Sequence, residues 1–112
     1  DALLGACGLG NIGEEFPDTD SHFQGVASTE LLRDTAEMVR CKGYKIGNID
    51  SNILAERPKL FPYFPEMQAE IARVLQIPED SVHVKAKTME RLGEIGTEQA
   101  IAAQAVALVF LD

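Results

Sequence analysis

The chain has 112 residues and a formal net charge of −8, from 10 Lys and Arg against 18 Asp and Glu. This length favours one domain, and a composition of 46% hydrophobic and 25% charged residues is typical of a soluble globular protein. The negative charge argues against nucleic acids and anionic membranes as partners, because both are bound through Lys and Arg. No apolar run reaches the roughly 18 residues of a membrane helix.

The first part of the chain predicts two helices. Residues 1–9 carry apolar side chains at helical spacing, and residues 8–20 form a loop rich in Gly and Asp. Ser28 is a suitable N-cap for the second helix, which Gly43 ends as its C′ residue. The apolar face of the second helix consists of Leu31, Leu32, Thr35, Met38 and Val39.

The rest of the chain predicts strands around one further helix. Strands are predicted at residues 44–56, 82–87 and 101–111. Gly47 and Asn48 indicate a bulge in the first strand, residues 66–75 have the spacing of a helix, and residues 90–98 form a loop with a short helical turn. This order predicts an α+β or α/β fold with helices covering a small sheet. Three strands make a thin sheet, so we expect a further strand or an oligomer.

The thiols and imidazoles form no recognisable ligand set. Cys7 and Cys41 lie far apart in sequence, and we expect both to be buried and reduced. His22 and His83 stand in no metal-ligand spacing, and we expect ordinary surface or structural histidines.

Residues 8–13 match G-x-G-x-x-G, but a dinucleotide site needs a strand before this motif and a helix after it. A helix is predicted before it, so we interpret the motif as a glycine-rich helix end.

Two clusters of polar residues can be interpreted either as ligand-binding sites or as ordinary solvated surface. Asp18 and Asp20 can hold sugar hydroxyls or a metal, or can form a solvated turn. Lys85 and Lys87 share one face of a strand that ends at Thr88, where a phosphate can bind. Surface salt bridging is the alternative for these cations and for the cluster at residues 57–59.

Taken in order, the motifs resemble one family over the whole chain. Residues 1–6 read D-A-L-L-G-A, residues 11–13 N-I-G, and residues 16–20 F-P-D-T-D. These are followed by G-Y at 43–44, G-N-I-D at 47–50, A-E-R-P-K at 55–59, V-K-A-K-T-M-E-R-L-G at 84–93 and I-A-A-Q-A-V-A-L at 101–108. This series resembles the 2-C-methyl-D-erythritol 2,4-cyclodiphosphate synthase family, a group of isoprenoid-pathway lyases.

The resemblance implies a fold and an activity. The expected fold is a single α+β domain over residues 1–112, with a small mixed β-sheet covered by helices on one face. The family forms homotrimers whose sheets face the trimer axis and whose active sites lie between subunits. It converts 4-diphosphocytidyl-2-C-methyl-D-erythritol 2-phosphate to the 2,4-cyclodiphosphate and releases CMP. The implied location is the bacterial cytoplasm or the plastid stroma.

The resemblance also implies which residues form the site, with Thr88 as the catalytic residue that stabilises the transition state. The methylerythritol phosphate would be held by Asn11, Ile12, Gly13, Phe16, Pro17, Asp18, Thr19 and Asp20. The cytidine pocket would be lined by Ala55, Pro58, Lys59, Leu60 and Phe61. The diphosphate would be bound by Ala86, Lys87 and Thr88, with Glu90 holding Mg²⁺ or Mn²⁺.

The family also uses zinc, whose ligands precede the D-A-L-L-G-A run and are expected upstream of this chain. On this view the domain is N-terminally incomplete, and the chain alone is expected to be inactive. Two further departures are Asn11, where the family usually has Asp, and Thr97, where many members have Arg. The alternatives are a non-catalytic trimeric cytidine-nucleotide-binding fragment and a metal-free small-molecule binding module.

Overall fold

The computed structural model describes residues 1–20 and 25–112, so His22 lies outside the described residues. The α-helices of the described part are α1 (Ala2–Ala6), α2 (Ile12–Glu15), α3 (Ser28–Cys41), α4 (Phe64–Leu75) and α5 (Gly93–Gly96). The strands are β1 (Tyr44–Leu54), β2 (Val82–Lys87) and β3 (Ala102–Leu111). Short 3-10 helices span Phe61–Tyr63 and Glu79–Ser81.

The strands form a mixed sheet in the order β2-β1-β3, which confirms the predicted α+β class. Strand β1 pairs parallel with β2, from Ile49 opposite Val82 to Leu54 opposite Lys87. It pairs antiparallel with β3 over its whole length. The predicted bulge is confirmed, because the β1–β3 register shifts between Ile46 and Asn48.

Helices cover one face of the sheet, as the alternation of burial shows. Ile49, Val82 and Val84 are buried, whereas Asp50 and His83, which point to the opposite face, are exposed. The core cluster under α1, α3 and α4 contains Leu3, Cys7, Ala36, Val39, Ile46, Ile49 and Leu75. The uncovered face, called the open face below, presents Asn48, Asp50, His83, Lys85, Val106, Leu108 and Phe110.

Several sequence predictions were wrong in detail. Residues 8–20 are not all loop, since α2 forms within them. Ser28 is not the N-cap, because the helix already includes it and the Ala27 carbonyl accepts the Glu30 N–H at 3.0 Å. Helix α4 starts at Phe64 rather than at residue 66, because Pro65 fits the first helical turn, where its missing N–H costs nothing.

The two thiols differ, which corrects the prediction that both are buried. Cys7 is buried in the core, whereas Cys41 is exposed at the last position of α3. Burial raises the pKa of the Cys7 thiol, and the nearby Lys42 ammonium opposes this in part. Lys42 Nζ also donates to the Cys7 carbonyl oxygen at 2.7 Å, which ties the end of α1 to the end of α3.

Within the described residues, no helix combines the length and the apolar character needed to cross a membrane.

The bulge gives a first testable prediction. A Cβ added at Gly47 would lie 2.4 Å from Phe110 Cε2 and 3.1 Å from the Leu108 carbonyl oxygen. We therefore expect Gly47→Ala to lower the free energy of unfolding by about 1–3 kcal/mol, as measured by urea titration. The matched control is Gly5→Ala, because a Cβ there would meet no atom within 4 Å and a helical Ala is favoured. Equal stability of Gly47→Ala and the parent would contradict this account of the bulge.

Candidate functional site

Strands β1 and β2 run parallel, so their carboxyl ends meet at the same edge of the sheet. The last pair is Leu54 opposite Lys87, and the Ala55 N–H then donates to the Lys87 carbonyl oxygen at 3.1 Å. This bond keeps the two chains together one residue beyond β1. Clefts outside the carboxyl ends of parallel strands are the usual ligand sites of such sheets.

A cleft of about 260 Å³ opens at this edge and is called the strand-end cleft below. It is lined by Ala55, Glu56, Pro58, Lys59, Leu60, Phe61, Phe64, Ala86, Lys87 and Thr88. All the residues predicted for the cytidine pocket and for the diphosphate therefore line one cleft. Sequence reasoning missed Glu56 and Phe64 as lining residues. The Phe61 and Phe64 rings meet edge to face, with centroids 5.8 Å apart, and the closely spaced aromatic residues 61–64 were the signal for this wall.

The chemistry of the strand-end cleft is divided between an apolar and a cationic part. Pro58, Leu60 and the phenylalanine rings provide apolar surface, on which a flat ring can stack. The Lys59 and Lys87 ammonium groups and the Thr88 hydroxyl are donors suited to phosphate oxygens. The arrangement can therefore bind a molecule that joins a ring to a phosphate chain.

Glu90 follows the strand-end cleft without lining it. Its backbone N–H donates to Thr88 Oγ1 at 3.4 Å, and its φ of 51° is unusual for a residue with a side chain. The Glu90 side chain is exposed, so its carboxylate is accessible to a cation beside the cleft.

A second, polar cleft of about 360 Å³ lies beside the first and shares Glu56 with it. It includes Arg57, Arg91 and Thr97. The Thr97 hydroxyl donates to the carbonyl oxygens of Gly93 and Glu94, at 3.0 and 3.3 Å, so this side chain is directed back onto α5. Thr97 therefore helps to end a short helix, and it adds no cation to this cleft.

The predicted residues of the N-terminal region form a separate group around α2. Asn11 is the N-cap of this helix, and its Oδ1 accepts the Glu14 N–H at 3.0 Å while its Nδ2 donates to Glu14 Oε1 at 3.2 Å. Asp1 Oδ1 accepts the Ile12 N–H at 2.7 Å. Two side chains thus satisfy backbone donors of the first turn of α2, which explains why a four-residue helix forms here.

Residues 16–20 continue from α2 into a turn. The Phe16 N–H donates to the Ile12 carbonyl oxygen at 2.8 Å, and the Asp20 N–H donates to the Pro17 carbonyl oxygen at 3.1 Å. Asp18 and Asp20 are exposed. Among the described residues 11–20, none lines the strand-end cleft, so a single chain does not bring the two predicted groups together there.

Lys85 lies on the same face of β2 as Lys87 but has a different partner. Its ammonium contacts the Asp50 carboxylate on the open face. This hydrogen bond lowers the pKa of Asp50 below its ordinary value, and the positive charge of Lys85 acts in the same direction. Lys85 does not line the strand-end cleft.

The described residues contain no group of three or more His, Cys, Asp and Glu side chains that could hold a metal ion. Zinc sites take three or four protein ligands, so residues 1–20 and 25–112 of one chain do not supply a complete zinc site.

The comparisons agree with this geometry. A sequence model of the YgbB family matches residues 1–110. The 2-C-methyl-D-erythritol 2,4-cyclodiphosphate synthase of Photorhabdus laumondii is 50% identical over 109 residues, which are 97% of this chain and 69% of that protein. The chain belongs to this cyclodiphosphate synthase family.

Solved structures of the family share the fold. The bifunctional IspDF from Campylobacter jejuni matches with a TM-score of 0.96 and 41% identity, over 100% of this chain and 30% of that one. The CDP complex of IspF from Plasmodium falciparum matches with a TM-score of 0.86 and 36% identity, over 99% of this chain and 66% of that one. The chain thus spans about two thirds of the cyclodiphosphate synthases and about a third of the bifunctional protein.

The cap of α2 gives a second prediction. Asn11→Asp keeps the capping oxygen, but it loses the donor to Glu14 and places two carboxylates together. We therefore expect the stability of α2 to fall by about a few tenths of a kcal/mol. Asn11→Ala should cost about 1 kcal/mol, because the cap itself is lost. Hydrogen exchange at the Glu14 amide measures both effects. The double variant Asn11→Asp with Glu14→Gln should recover the protection, and no recovery would show that the repulsion is not the cause.

The Asp50–Lys85 pair gives a third prediction. In the parent, the lowered pKa of Asp50 means that this contact favours the folded state above the ordinary carboxyl pKa and loses its effect as the pH falls through the lowered value. Lys85→Met should raise the pKa of Asp50 toward its ordinary value, as followed by NMR titration of the carboxyl carbon. Lys45→Met is the control and should leave the pKa of Asp50 unchanged, since Lys45 lies opposite Phe110 near the start of β1, away from Asp50. An unchanged pKa in Lys85→Met would contradict the pairing.

Proposed function

We propose that this chain carries the cytidine-nucleotide and diphosphate site of a 2-C-methyl-D-erythritol 2,4-cyclodiphosphate synthase. The substrate would be 4-diphosphocytidyl-2-C-methyl-D-erythritol 2-phosphate, and the products the 2,4-cyclodiphosphate and CMP. The observation that supports this most is the strand-end cleft, where apolar walls and cationic donors adjoin. A relative of known structure forms a CDP complex, and CDP combines the same two chemistries.

In this proposal the cytosine ring and ribose lie against the apolar wall of the strand-end cleft, and Lys59 lies near a phosphate. That wall consists of Ala55, Pro58, Leu60, Phe61 and Phe64. The diphosphate lies along the end of β2, where Lys87 and Thr88 donate to its oxygens. Ala55 and Ala86 both line the cleft with small side chains, so the backbone of both strand ends can approach the ligand closely.

The reaction is an intramolecular phosphoryl transfer. An oxygen of the 2-phosphate forms a bond to the β-phosphorus, and the bond from that phosphorus to the bridging oxygen breaks. CMP leaves with the bond's electron pair as a phosphate. Such a reaction depends on alignment and on neutralising the charge that develops on the phosphoryl oxygens. Thr88 and Lys87 provide fixed donors at this point, and Thr88 would stabilise the transition state.

A divalent cation fits Glu90. Mg²⁺ is commonly held by one or two carboxylates together with phosphate oxygens, so a single exposed carboxylate beside the diphosphate is sufficient. Magnesium or manganese bound there would polarise the α- and β-phosphates. The described residues do not form a zinc site, and no step of this proposal involves zinc.

The methylerythritol phosphate would be held by residues 11–13 and 16–20 of a neighbouring subunit in a homotrimer. Two observations support this assembly. None of the described residues 11–20 lines the strand-end cleft of its own chain. The open face carries exposed apolar side chains, with Val106 at 72% and Phe110 at 50%, which a neighbouring sheet could cover.

We also propose that residues 1–112 act as one domain, in a bacterial cytoplasm or a plastid stroma.

Binding of CDP tests this proposal. We expect the purified chain to bind CDP, as measured by calorimetry, and Lys59→Ala to weaken binding about tenfold through loss of one phosphate contact. Lys45→Ala is the matched control, because Lys45 lies at the opposite end of β1 and should leave binding unchanged. In a preparation where the parent converts the substrate, Thr88→Ala should reduce turnover more than CDP binding, because the Thr88 hydroxyl acts in the transition state.

Failure to bind CDP, or equal weakening by Lys59→Ala and Lys45→Ala, would overturn the site. Binding of CDP without conversion of the substrate would support the cytidine-nucleotide-binding alternative over the enzyme.

A further inference from the structure

Two consecutive residues join the loops that border the strand-end cleft. Glu56 Oε2 accepts a hydrogen bond from the Met89 backbone N–H at 3.2 Å. Arg57 Nε lies 3.2 Å from Glu98 Oε1. Both contacts run from the loop after β1 to the connection between β2 and β3, with Met89 before α5 and Glu98 after it, so they link the two sides of the cleft.

The two contacts differ in strength. The Arg57 and Glu98 side chains are 79% and 49% exposed, and ion pairs at such exposure contribute little. Glu56 is partly buried where the two clefts adjoin, and its carboxylate accepts from a backbone N–H in an exposed but charge-assisted hydrogen bond. The Glu56–Met89 contact is therefore the one that constrains the backbone after β2.

The segment that Glu56 contacts is a tight turn, closed by the Leu92 N–H, which donates to the Met89 carbonyl oxygen at 3.0 Å. Glu90 and Arg91 have φ values of 51° and 67°, so two successive residues with side chains adopt the left-handed region. Each such residue costs energy and persists only where surrounding contacts enforce it. The Leu92–Met89 bond supports this conformation but does not fix where the turn lies relative to the cleft, and the bond from the Glu90 N–H to Thr88 Oγ1 is long, at 3.4 Å.

Packing on the other side of the loop enforces the same path. A Cβ at Gly96 would lie 2.3 Å from the Arg91 carbonyl carbon, so α5 packs directly against the Arg91 backbone. The loop is thus held at Arg91 by α5 and at Met89 by Glu56, and Glu90 lies between these two points.

We propose that Glu56 is a positioning residue that orients residues 88–90 for the diphosphate and its cation. Glu56 need not touch the reacting atoms, because it acts through the Met89 N–H on the neighbouring Thr88 and Glu90. This inference rests on the proposed function for its ligand, but the contact itself can be tested without any ligand.

The first test is the Met89 amide in the whole chain. Glu56→Ala should increase the hydrogen-exchange rate of this amide roughly tenfold, since the acceptor is lost. Glu56→Gln keeps an acceptor oxygen and should fall between Glu56→Ala and the parent. Glu79→Gln, in the 3-10 helix before β2, is the matched control and should leave the amide unchanged. An unchanged Met89 amide in a folded Glu56→Ala variant overturns the proposal.

The second test compares CDP with cytidine, both in magnesium buffer, by ligand-detected NMR. Glu56→Ala should weaken CDP binding roughly tenfold and leave cytidine binding within about twofold, because only the diphosphate end is disordered. Glu56→Gln should recover most of the CDP affinity. Equal loss for both ligands would mean that the whole cleft has changed, and Glu56 would then have a structural role only.

The two proposals can fail separately. If the parent chain binds no CDP, the proposed function fails, and the Met89 amide still reports whether Glu56 holds the loop. If the parent binds CDP and Glu56→Ala binds it equally well, the proposed function stands and the positioning role of Glu56 is wrong.

Discussion

The parallel pairing of β1 with β2 is the constraint on which the candidate site depends. Each wall of the strand-end cleft is the continuation of one strand, so the register of Leu54 with Lys87 decides which residues face each other across it. A slip of one residue would reverse the faces of β2 and move Val82 and Val84 out of the core. Burial of these valines therefore fixes the position of Lys87 and Thr88.

The chain is strongly acidic, yet the proposed ligand is an anion. The two facts are compatible because charges separated by more than about 8 Å are largely screened at physiological salt. Lys59 and Lys87 line the strand-end cleft together with one carboxylate, that of Glu56, whereas Asp18 and Asp20 lie outside its lining. Lys85 contacts Asp50 on the open face and does not line the cleft. Local placement, and not net charge, decides what this edge of the sheet can bind.

Elements defined by a periodic apolar pattern could be predicted from the sequence. The buried valines at alternate positions of β2 gave its bounds, and Gly43, with a φ of 92°, ended α3 as expected. One error arose where a side chain distant in sequence contributes to the structure. Helix α2 depends on Asp1, eleven positions before Ile12, as well as on its local N-cap Asn11.

The candidate site could be predicted because each of its walls is formed by a segment that is continuous in sequence. The cationic clusters at residues 57–59 and at Lys85 and Lys87 were visible in the sequence, and the resemblance to the family extended them to residues 55–61 and 86–88 and implied their roles. The part played by Glu56 was not visible, because its partner is a backbone N–H in another loop. A position that acts through the main chain of a distant residue leaves no signal in its own neighbourhood.

The separation of the two predicted groups bears on how a complete site would form. In a cyclic trimer the contacts are heterologous, so one surface of a subunit meets a different surface of the next. The strand-end cleft and the α2 region are different surfaces of this chain, which suits such an arrangement. On this proposal each subunit would contribute a nucleotide side to one site and a methylerythritol side to another. The caps on α2 would then matter to a neighbour's reaction as much as to the stability of their own chain.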